Sequence, residues 1–148
     1  MADPVTLVPA AGSLAAVVPV RNLLAFVEHF LASGLAFAVF LWAYVRFTPW
    51  DDLKLIREGD TAAAAGLVGA MFGFVTPVGA VVMSSHSVIE TAAWSVIALA
   101  VQMLVLCGLR LVFRNLAVQI VGGNLAEGIL LGGLSAAAGV LEAACLYG

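Results

Sequence analysis

Five residues near the end of the chain have types and spacings that could support chemistry. On a helix turning about 100° per residue they fall within an arc of roughly 80°. They are Asn124, Glu127, Ser135, Glu142 and Cys145. Polar groups inside a membrane span are costly, and they usually face a partner or a water-filled cavity. With Gln102, the most deeply placed polar side chain of the preceding apolar segment, they form a candidate polar seam, defined as Gln102, Asn124, Glu127, Ser135 and Glu142.

The polar seam has two interpretations. In the first, it guides protons or small cations along the apolar segment formed by residues 125–147. In the second, Gln102 and Asn124 make hydrogen bonds between helices, while Glu127 and Glu142 stay hydrated near the two surfaces. The two carboxylates would lie about 22 Å apart along a helix axis, and the residues between them are mostly apolar.

A second group of residues should approach the outer surface together. Its members carry imidazole, carboxylate or thiol groups: Glu28, His29, His86, Glu90, Glu142 and Cys145. A zinc site needs three or four converging ligands, and none of these spacings matches a metal motif. We expect no metal and no cofactor. Cys107 should lie toward the opposite surface from Cys145, so both are expected to be free thiols.

Enzymatic and nucleic-acid-binding classes find little support. The chain has no phosphate-binding glycine loop, nucleophile elbow, HExxH motif or paired catalytic carboxylates. A net charge of −3 offers no basic footprint for nucleic acid. We therefore expect a protein that is not an enzyme.

The composition specifies the elements that position these residues. Of 148 residues, 64% are hydrophobic and 10% are charged, with a mean hydropathy of +1.13, whereas soluble domains carry about 25% charged residues. Segments 23–45, 61–85, 91–109 and 125–147 are each close to the ~20 residues that cross a bilayer. The predicted fold class is an all-α integral membrane protein with four transmembrane helices.

An internal similarity suggests how these helices are organised. Residues 48–69 recur in fainter form sixty-four residues later, so that Gly59 aligns with Gly123 and Gly69 with Gly133. We predict two tandem, same-direction helical hairpins, residues 23–85 and 86–148, after an apolar lead-in over residues 1–22 that is expected to be flexible. Each hairpin should contain a short amphipathic link at the membrane interface.

The first link has a predicted cap and a predicted polar face. Thr48 is placed to cap a short helix that has Pro49 at its first position. Asp52, Lys54 and Glu58 fall on the side expected to meet water.

Small residues predict which helices pack closely, because helices in lipid associate where backbones can approach. Gly69 and Gly73 on the second helix, and Gly128 and Gly132 on the fourth, have GxxxG spacing. These two helices should form the centre, with the larger side chains of the first and third facing lipid. Leucine at Gly69 or Gly133 should disrupt packing.

Aromatic and basic residues predict the orientation. The candidate interface anchors are Trp42, Arg46, Trp50, Arg110 and Arg114. Because basic residues stay on the cytoplasmic side, both links should be cytoplasmic and both termini outside the cytoplasm.

Several of these features together resemble a known family. The features are the Thr48-Pro49 link, the junction from Gly59 to Ala63, Trp94, the stretch from Gln102 to Arg110, and the terminal residues 142–145. Over roughly residues 25–148 the chain resembles the YjfL-like family, domain-of-unknown-function family three-fifty, of bacterial inner-membrane proteins. The resemblance implies a four-helix protein of two tandem hairpins in that membrane. It implies no activity, substrate or cofactor, so no functional residue carries over.

Two function classes therefore stay open. One is a non-enzymatic, oligomeric scaffold that lies in the lipid bilayer and docks a cytoplasmic protein partner on its links. The alternative is a small oligomeric ion channel or transporter, lined by the polar face of the fourth helix. No nucleic-acid partner is expected in either case.

Overall fold

The computed structural model describes residues 20–85 and 87–146. The predicted lead-in, apart from its last three residues, lies outside this part of the chain. Within it the elements are α1 (Val20–Phe47), α2 (Asp52–Arg57), α3 (Thr61–Ser84), α4 (Val88–Val112), α5 (Leu116–Val121) and α6 (Leu125–Leu146). Four of them, α1, α3, α4 and α6, are long and apolar enough to cross a membrane. The all-helical class with four candidate spans is confirmed.

The two short helices, α2 and α5, end in the same way. Gly59 follows α2 with φ +90°, and Gly123 follows α5 with φ +73°, a conformation that glycine adopts without strain. The N–H of Gly59 bonds the carbonyl of Ile56, and the N–H of Gly123 bonds that of Ile120, at 3.0 and 2.9 Å. These bonds satisfy carbonyls that a helix end leaves free.

The cap of α2 differs from the sequence expectation. Asp51 is the N-cap residue, and its carboxylate accepts a hydrogen bond from the Lys54 N–H at 3.0 Å. The backbone N–H of Thr48 instead bonds the carbonyl of Tyr44 at 2.9 Å, which extends the hydrogen bonding of α1. The prediction that Thr48 caps the link was wrong, because Thr48 still belongs to the end of the first span.

The centre of the fold is the contact between α3 and α6, the most extensive between the helices of the described chain. A side chain at Gly69 would meet the backbone of Gly132, and one at Gly128 would meet the backbone of Ala62. Gly73 lies equally close to the backbone of Ser135. The predicted close approach at Gly69, Gly73, Gly128 and Gly132 is confirmed. These two spans pack backbone against backbone.

Gly133 was predicted to lie in the same packing face, so that leucine there would disrupt it. No atom lies within 4 Å of the position that its Cβ would occupy, and the residue is exposed. One residue rotates a helix position by about 100°, so Gly132 and Gly133 cannot both face α3. The expectation that leucine at Gly133 disrupts packing was wrong.

Pro77 explains one of the closest backbone approaches. It lies inside α3 and has no N–H to donate to the carbonyl four residues earlier, that of Gly73. A side chain at Gly139 of α6 would meet this same carbonyl oxygen. Because Gly139 has no side chain, its backbone covers a polar atom that the proline leaves without its usual partner.

The first and third spans, α1 and α4, differ in how much of their surface is buried. Little of the apolar stretch of α1 is fully buried, as expected for a helix that faces lipid. In contrast, α4 buries one stripe, formed by Thr91, Ser95, Ala98, Gln102, Leu106 and Leu109, and it is as buried as α6. The large side chains of α4 outside this stripe, such as Leu104 and Leu111, are exposed as predicted, while the stripe itself packs against α1, α3 and α6.

Aromatic rings join α1 to the centre. The rings of Phe40 and Phe74 stack with centroids 4.5 Å apart, and Phe40 also contacts Tyr44 at 5.9 Å. All three side chains are almost fully buried. This cluster lies toward the Phe47 end of α1, so it holds that end of the first span against α3.

Candidate functional site

The deepest members of the polar seam, Gln102 and Ser135, come together. Gln102 of α4 is 2% exposed, and its side-chain amide donates a hydrogen bond to the carbonyl of Ser135 in α6 at 3.2 Å. The same amide nitrogen lies against Gly73 of α3, where a side chain would displace it. Gln102 therefore joins three spans at one point. Its Oε1 atom has no hydrogen-bond partner among the described residues.

The hydroxyls that precede Gln102 on α4 do not extend the seam. Thr91 donates to the carbonyl of Ser87 at 3.2 Å, and Ser95 donates to that of Thr91 at 2.7 Å. Each hydroxyl proton is thus used within its own helix. These buried groups are satisfied locally, and they offer no donor toward Gln102.

The remaining seam residues stay apart. Asn124 makes only local bonds, accepting from the N–H of Ala126 and donating to the side chain of Gln119, each at 3.1 Å. Its predicted bond between helices is therefore replaced by one within its own turn. Glu127 and Glu142 are half-buried, and one oxygen of each has no partner in the described chain. The two carboxylates are separated by about four turns of α6.

The possible metal ligands do not converge in the described part of the chain. There, no group of three or more histidine, cysteine, aspartate or glutamate side chains is placed to hold an ion. His86 lies outside it. Cys107 and Cys145 are free and exposed.

A buried carboxylate that sequence reasoning placed in water organises the first link. Asp52 is 1% exposed. Its two oxygens accept from the hydroxyl of Thr48 at 2.8 Å and from the indole N–H of Trp50 at 2.7 Å. The prediction that Asp52 lies on a polar, hydrated face was wrong, because donors from the preceding turn enclose it. We call Thr48, Trp50 and Asp52 the link cluster.

The electrostatics of Asp52 follow from its burial. Burial raises the pKa of this carboxyl above its ordinary value of 3.8, the hydrogen bonds from Thr48 and Trp50 lower the pKa, and neighbouring Asp51 raises it. Burial is the largest of these effects, since a charged carboxylate loses hydration there. The group therefore resists ionisation more than an exposed aspartate.

The candidate interface anchors occupy different environments. Trp42 is 70% exposed, and Arg46, Arg110 and Arg114 are also exposed. Trp50, in contrast, is buried in the link cluster. Arg110 donates to the carbonyl of Phe47 at 3.1 Å, so the third span contributes a cation to the C-terminal end of the first, where the helix dipole favours it.

The C-terminal ends of the two links lie near each other. Gly123 is near the carboxylate of Asp60, which caps α3 by accepting from the Ala63 N–H at 2.8 Å. A cavity of about 390 Å³ between the links is lined by Leu55, Glu58, Gly59, Asp60, Thr61, Val121 and Gly123. A second cavity, of about 550 Å³, lies beside α5 and contains Arg110 and Arg114 with Pro49, Phe113 and Leu116. We call the exposed residues around these two cavities the link surface.

Three comparisons relate this chain to known proteins. A family model described as Domain of Unknown Function (DUF350) matches residues 17–146. The "UPF0719 inner membrane protein YjfL" of Escherichia coli (strain K12) is 34% identical over 125 residues, which are 84% of this chain and 95% of that protein. The protein of the same name from Escherichia coli O157:H7 gives the same values. No solved structure matches the chain.

Proposed function

The chain belongs to the DUF350 family and is a multi-pass protein of the bacterial inner membrane, and on that premise we propose that it is a non-enzymatic, oligomeric scaffold that docks a partner protein on its link surface. The observation that carries the proposal is the link cluster. It fixes α2 against the end of α1 through two hydrogen bonds to a buried carboxylate. A surface that is already ordered loses less conformational entropy on binding.

The chemistry of the link surface indicates what it would bind. Arg110 and Arg114 lie beside the apolar side chains of Phe113 and Leu116 in the second cavity. Arginine and aromatic residues are enriched where protein interfaces are buried. The partner segment should therefore offer carboxylates together with apolar side chains.

We further propose that the chain is a repeat of two same-direction hairpins, residues 23–85 and 86–148. The short helices support this, because α5 begins and ends sixty-four residues after α2, and each is followed by a glycine of positive φ. Each repeat holds two spans, so both would enter the membrane from the same side. The links would lie at the interface, where Leu53 and Val118 expose apolar side chains.

The orientation that this proposal requires has both links in the cytoplasm and both termini outside. It rests on Arg46, Lys54, Arg57, Arg110 and Arg114, which flank or occupy the links. We expect an alkaline phosphatase fused after residue 148 to be active, and a fused green fluorescent protein to stay dark. The reverse pattern would place the links outside and remove the proposed cytoplasmic docking.

Partner capture tests the docking itself. Crosslinking in native membranes, followed by purification and mass spectrometry, should enrich a cytoplasmic protein with the wild-type chain. We expect an R110Q and R114Q double variant to lose it, since both side chains line the second cavity. An R21Q variant is the matched control, because Arg21 lies at the opposite end of α1. Equal capture by the double variant would contradict this docking surface.

One observation favours the alternative function, an oligomeric channel or transporter. Oxygens of Gln102, Glu127 and Glu142 are buried without hydrogen-bond partners in the described residues, and such groups in a span often line a pathway. Against this, the backbones of α3 and α6 touch at Gly69, Gly73, Gly128 and Gly132, so these two spans leave no opening between them at those points. Any pathway would have to form between copies of the chain.

Ion flux distinguishes the two functions. We expect liposomes containing the purified protein to hold a proton or potassium gradient as well as empty liposomes, and the E127Q and E142Q double variant to behave identically. A leak that the wild-type protein produces and the double variant lacks would favour the channel over the scaffold.

A further inference from the structure

A groove between α1 and α3, at the end of the spans opposite the links, has an unusual lining. Its volume is about 730 Å³, within the range of small-molecule sites. Most of the lining is aromatic or aliphatic and includes Phe26, Phe30, Phe37 and Phe74. His29 and Ser33 line the same groove. We call this the His29 groove.

Four polar side chains line the groove, those of Asn22, His29, Ser33 and Ser85, and two of them leave unused hydrogen-bonding atoms. Neither Nε2 of His29 nor Oγ of Ser33 has a partner among the described residues, and both atoms are buried. Nδ1 of His29 lies 2.9 Å from the carbonyl of Ala25, so Nδ1 carries the proton and, in the neutral ring, Nε2 is an acceptor. Burying such a group without a partner is costly.

His29 and Ser33 are four residues apart in α1, so their side chains lie on the same side of the helix. Residues four apart on a helix have Cβ atoms about 5–6 Å apart. A single hydroxyl between them could donate to Nε2 of His29 and accept from Oγ of Ser33, each at a hydrogen-bond distance of about 2.8 Å. One ligand oxygen would thus satisfy both protein atoms.

The depth of His29 and Ser33 in the membrane restricts which lipid molecules could supply this hydroxyl. With Arg46 at the cytoplasmic interface, Ser33 and His29 lie about 20 and 26 Å away along α1, inside the ~30 Å hydrocarbon core. The donors of charged phospholipids lie beyond the phosphate, at the headgroup level. A matching lipid must carry its hydroxyl directly on its apolar body, without a charge.

The aromatic lining favours a lipid that carries a flat ring. Phe26 and Phe30 stack with centroids 5.8 Å apart, and Phe37 and Phe74 lie 6.4 Å apart. Flat rings pack well against such walls. We propose that the His29 groove binds an isoprenoid quinol, whose phenolic hydroxyl bonds His29 and Ser33 while its ring packs among the phenylalanines.

The test uses protein labelled with ¹⁵N-histidine, in lipid nanodiscs. The chain has two histidines, so an H86N variant assigns the signal of His29. We expect decylubiquinol to shift the Nε2 resonance of His29 saturably. Decylubiquinone lacks a donor, and it should shift that resonance much less. Dioctanoylglycerol, an uncharged lipid hydroxyl without a ring, should not compete at equal concentration.

Two variants locate the site. S33A should weaken decylubiquinol binding about three- to tenfold, the effect of one hydrogen bond, while S84A should not, since Ser84 bonds carbonyls of its own helix. Gly79 lines the groove, and a side chain there would meet open space. G79L should therefore block binding without unfolding the protein, while G108L, an equally open position on α4, should bind normally.

Four results would overturn the proposal. Equal shifts with decylubiquinol and decylubiquinone would exclude the donated hydrogen bond, and effective competition by dioctanoylglycerol would identify an ordinary glycerolipid. Unchanged affinity in both S33A and G79L would place the quinol elsewhere. A His29 signal already at its hydrogen-bonded position without quinol would mean that another segment, lipid or copy of the chain fills the groove.

Discussion

Leucine in place of Gly69 should force the second and fourth spans apart and lower the unfolding free energy by about 3 kcal/mol or more. Even the Cβ atom of a new side chain would overlap the backbone of Gly132. A backbone cannot rotate away as a flexible side chain does, and overpacking of well-packed sites already costs about 1–3 kcal/mol. Unfolding in bicelles, monitored by circular dichroism during titration with a denaturing detergent, measures the loss.

Gly133→Leu is the matched control for Gly69→Leu. The two glycines are sixty-four residues apart and align with each other, but the Cβ position of Gly133 has no neighbour within 4 Å. Its leucine variant should lie within about 0.5 kcal/mol of the wild type, as surface substitutions usually do. Gly69→Ala should lie between the two leucine variants. If the variants at Gly69 and Gly133 lose the same stability, α3 and α6 do not pack through the face described.

The second large effect is expected at Asp52. Replacing it with leucine removes both acceptors of the link cluster and leaves the buried indole N–H of Trp50 without a partner. Thr48 keeps a second acceptor, the carbonyl of Val45 at 3.2 Å. One orphaned buried donor costs about 1–3 kcal/mol. In a W42F and W94F background, Trp50 is the sole tryptophan, and its fluorescence should shift to longer wavelength as it meets water.

Asp52→Asn isolates the charge from the hydrogen bonds. The amide oxygen can still accept from Trp50, so this variant should keep the blue-shifted emission that leucine loses. Glu58→Gln is the control, since Glu58 is exposed and only 4.0 Å from Lys54 in a surface pair, which contributes little. If Asp52→Leu leaves Trp50 as buried as Glu58→Gln does, the link cluster does not hold α2 in place.

The same carboxyl predicts a pH dependence of stability. Because burial raises the pKa of Asp52 in the folded protein above 3.8, the folded state holds this proton more tightly than the unfolded state. The stabilisation that the protonated Asp52 carboxyl gives the folded state is therefore fully present below about pH 4. It is lost as the pH rises through the raised pKa. Asp52→Asn should flatten this part of the stability profile. An unchanged slope would assign the dependence to other carboxylates.

The sequence alone determined the class of protein and the number of spans. Four apolar segments of sufficient length leave the backbone little choice in lipid, since a helix satisfies all its hydrogen bonds internally. The sequence also indicates where the two links stop, at Gly59 and at the pair Gly122-Gly123, because glycine commonly follows the last residue of a helix. These are local properties, and each can be read from a window of neighbouring residues.

Only the tertiary structure decided which faces meet. The fourth span has Gly132 and Gly133 in succession, and small residues around much of its circumference allow several packing faces. The face that packs depends on α3, more than fifty residues away, where Gly69 admits the backbone of Gly132. In the same way Gln102 joins α6 through a carbonyl that any residue at position 135 would possess.

The link cluster shows the same limit at short range. A helical pattern assigned Asp52 to water because its charged neighbours Lys54 and Glu58 belong there. The donors that bury it, Thr48 and Trp50, precede α2 and lie outside its periodicity. The position of their side chains depends on how the end of α1 turns into the link. That turn depends on the tertiary fold, and it places Thr48 and Trp50 over Asp52, which is why Asp52 is buried although the helical pattern predicts that it meets water.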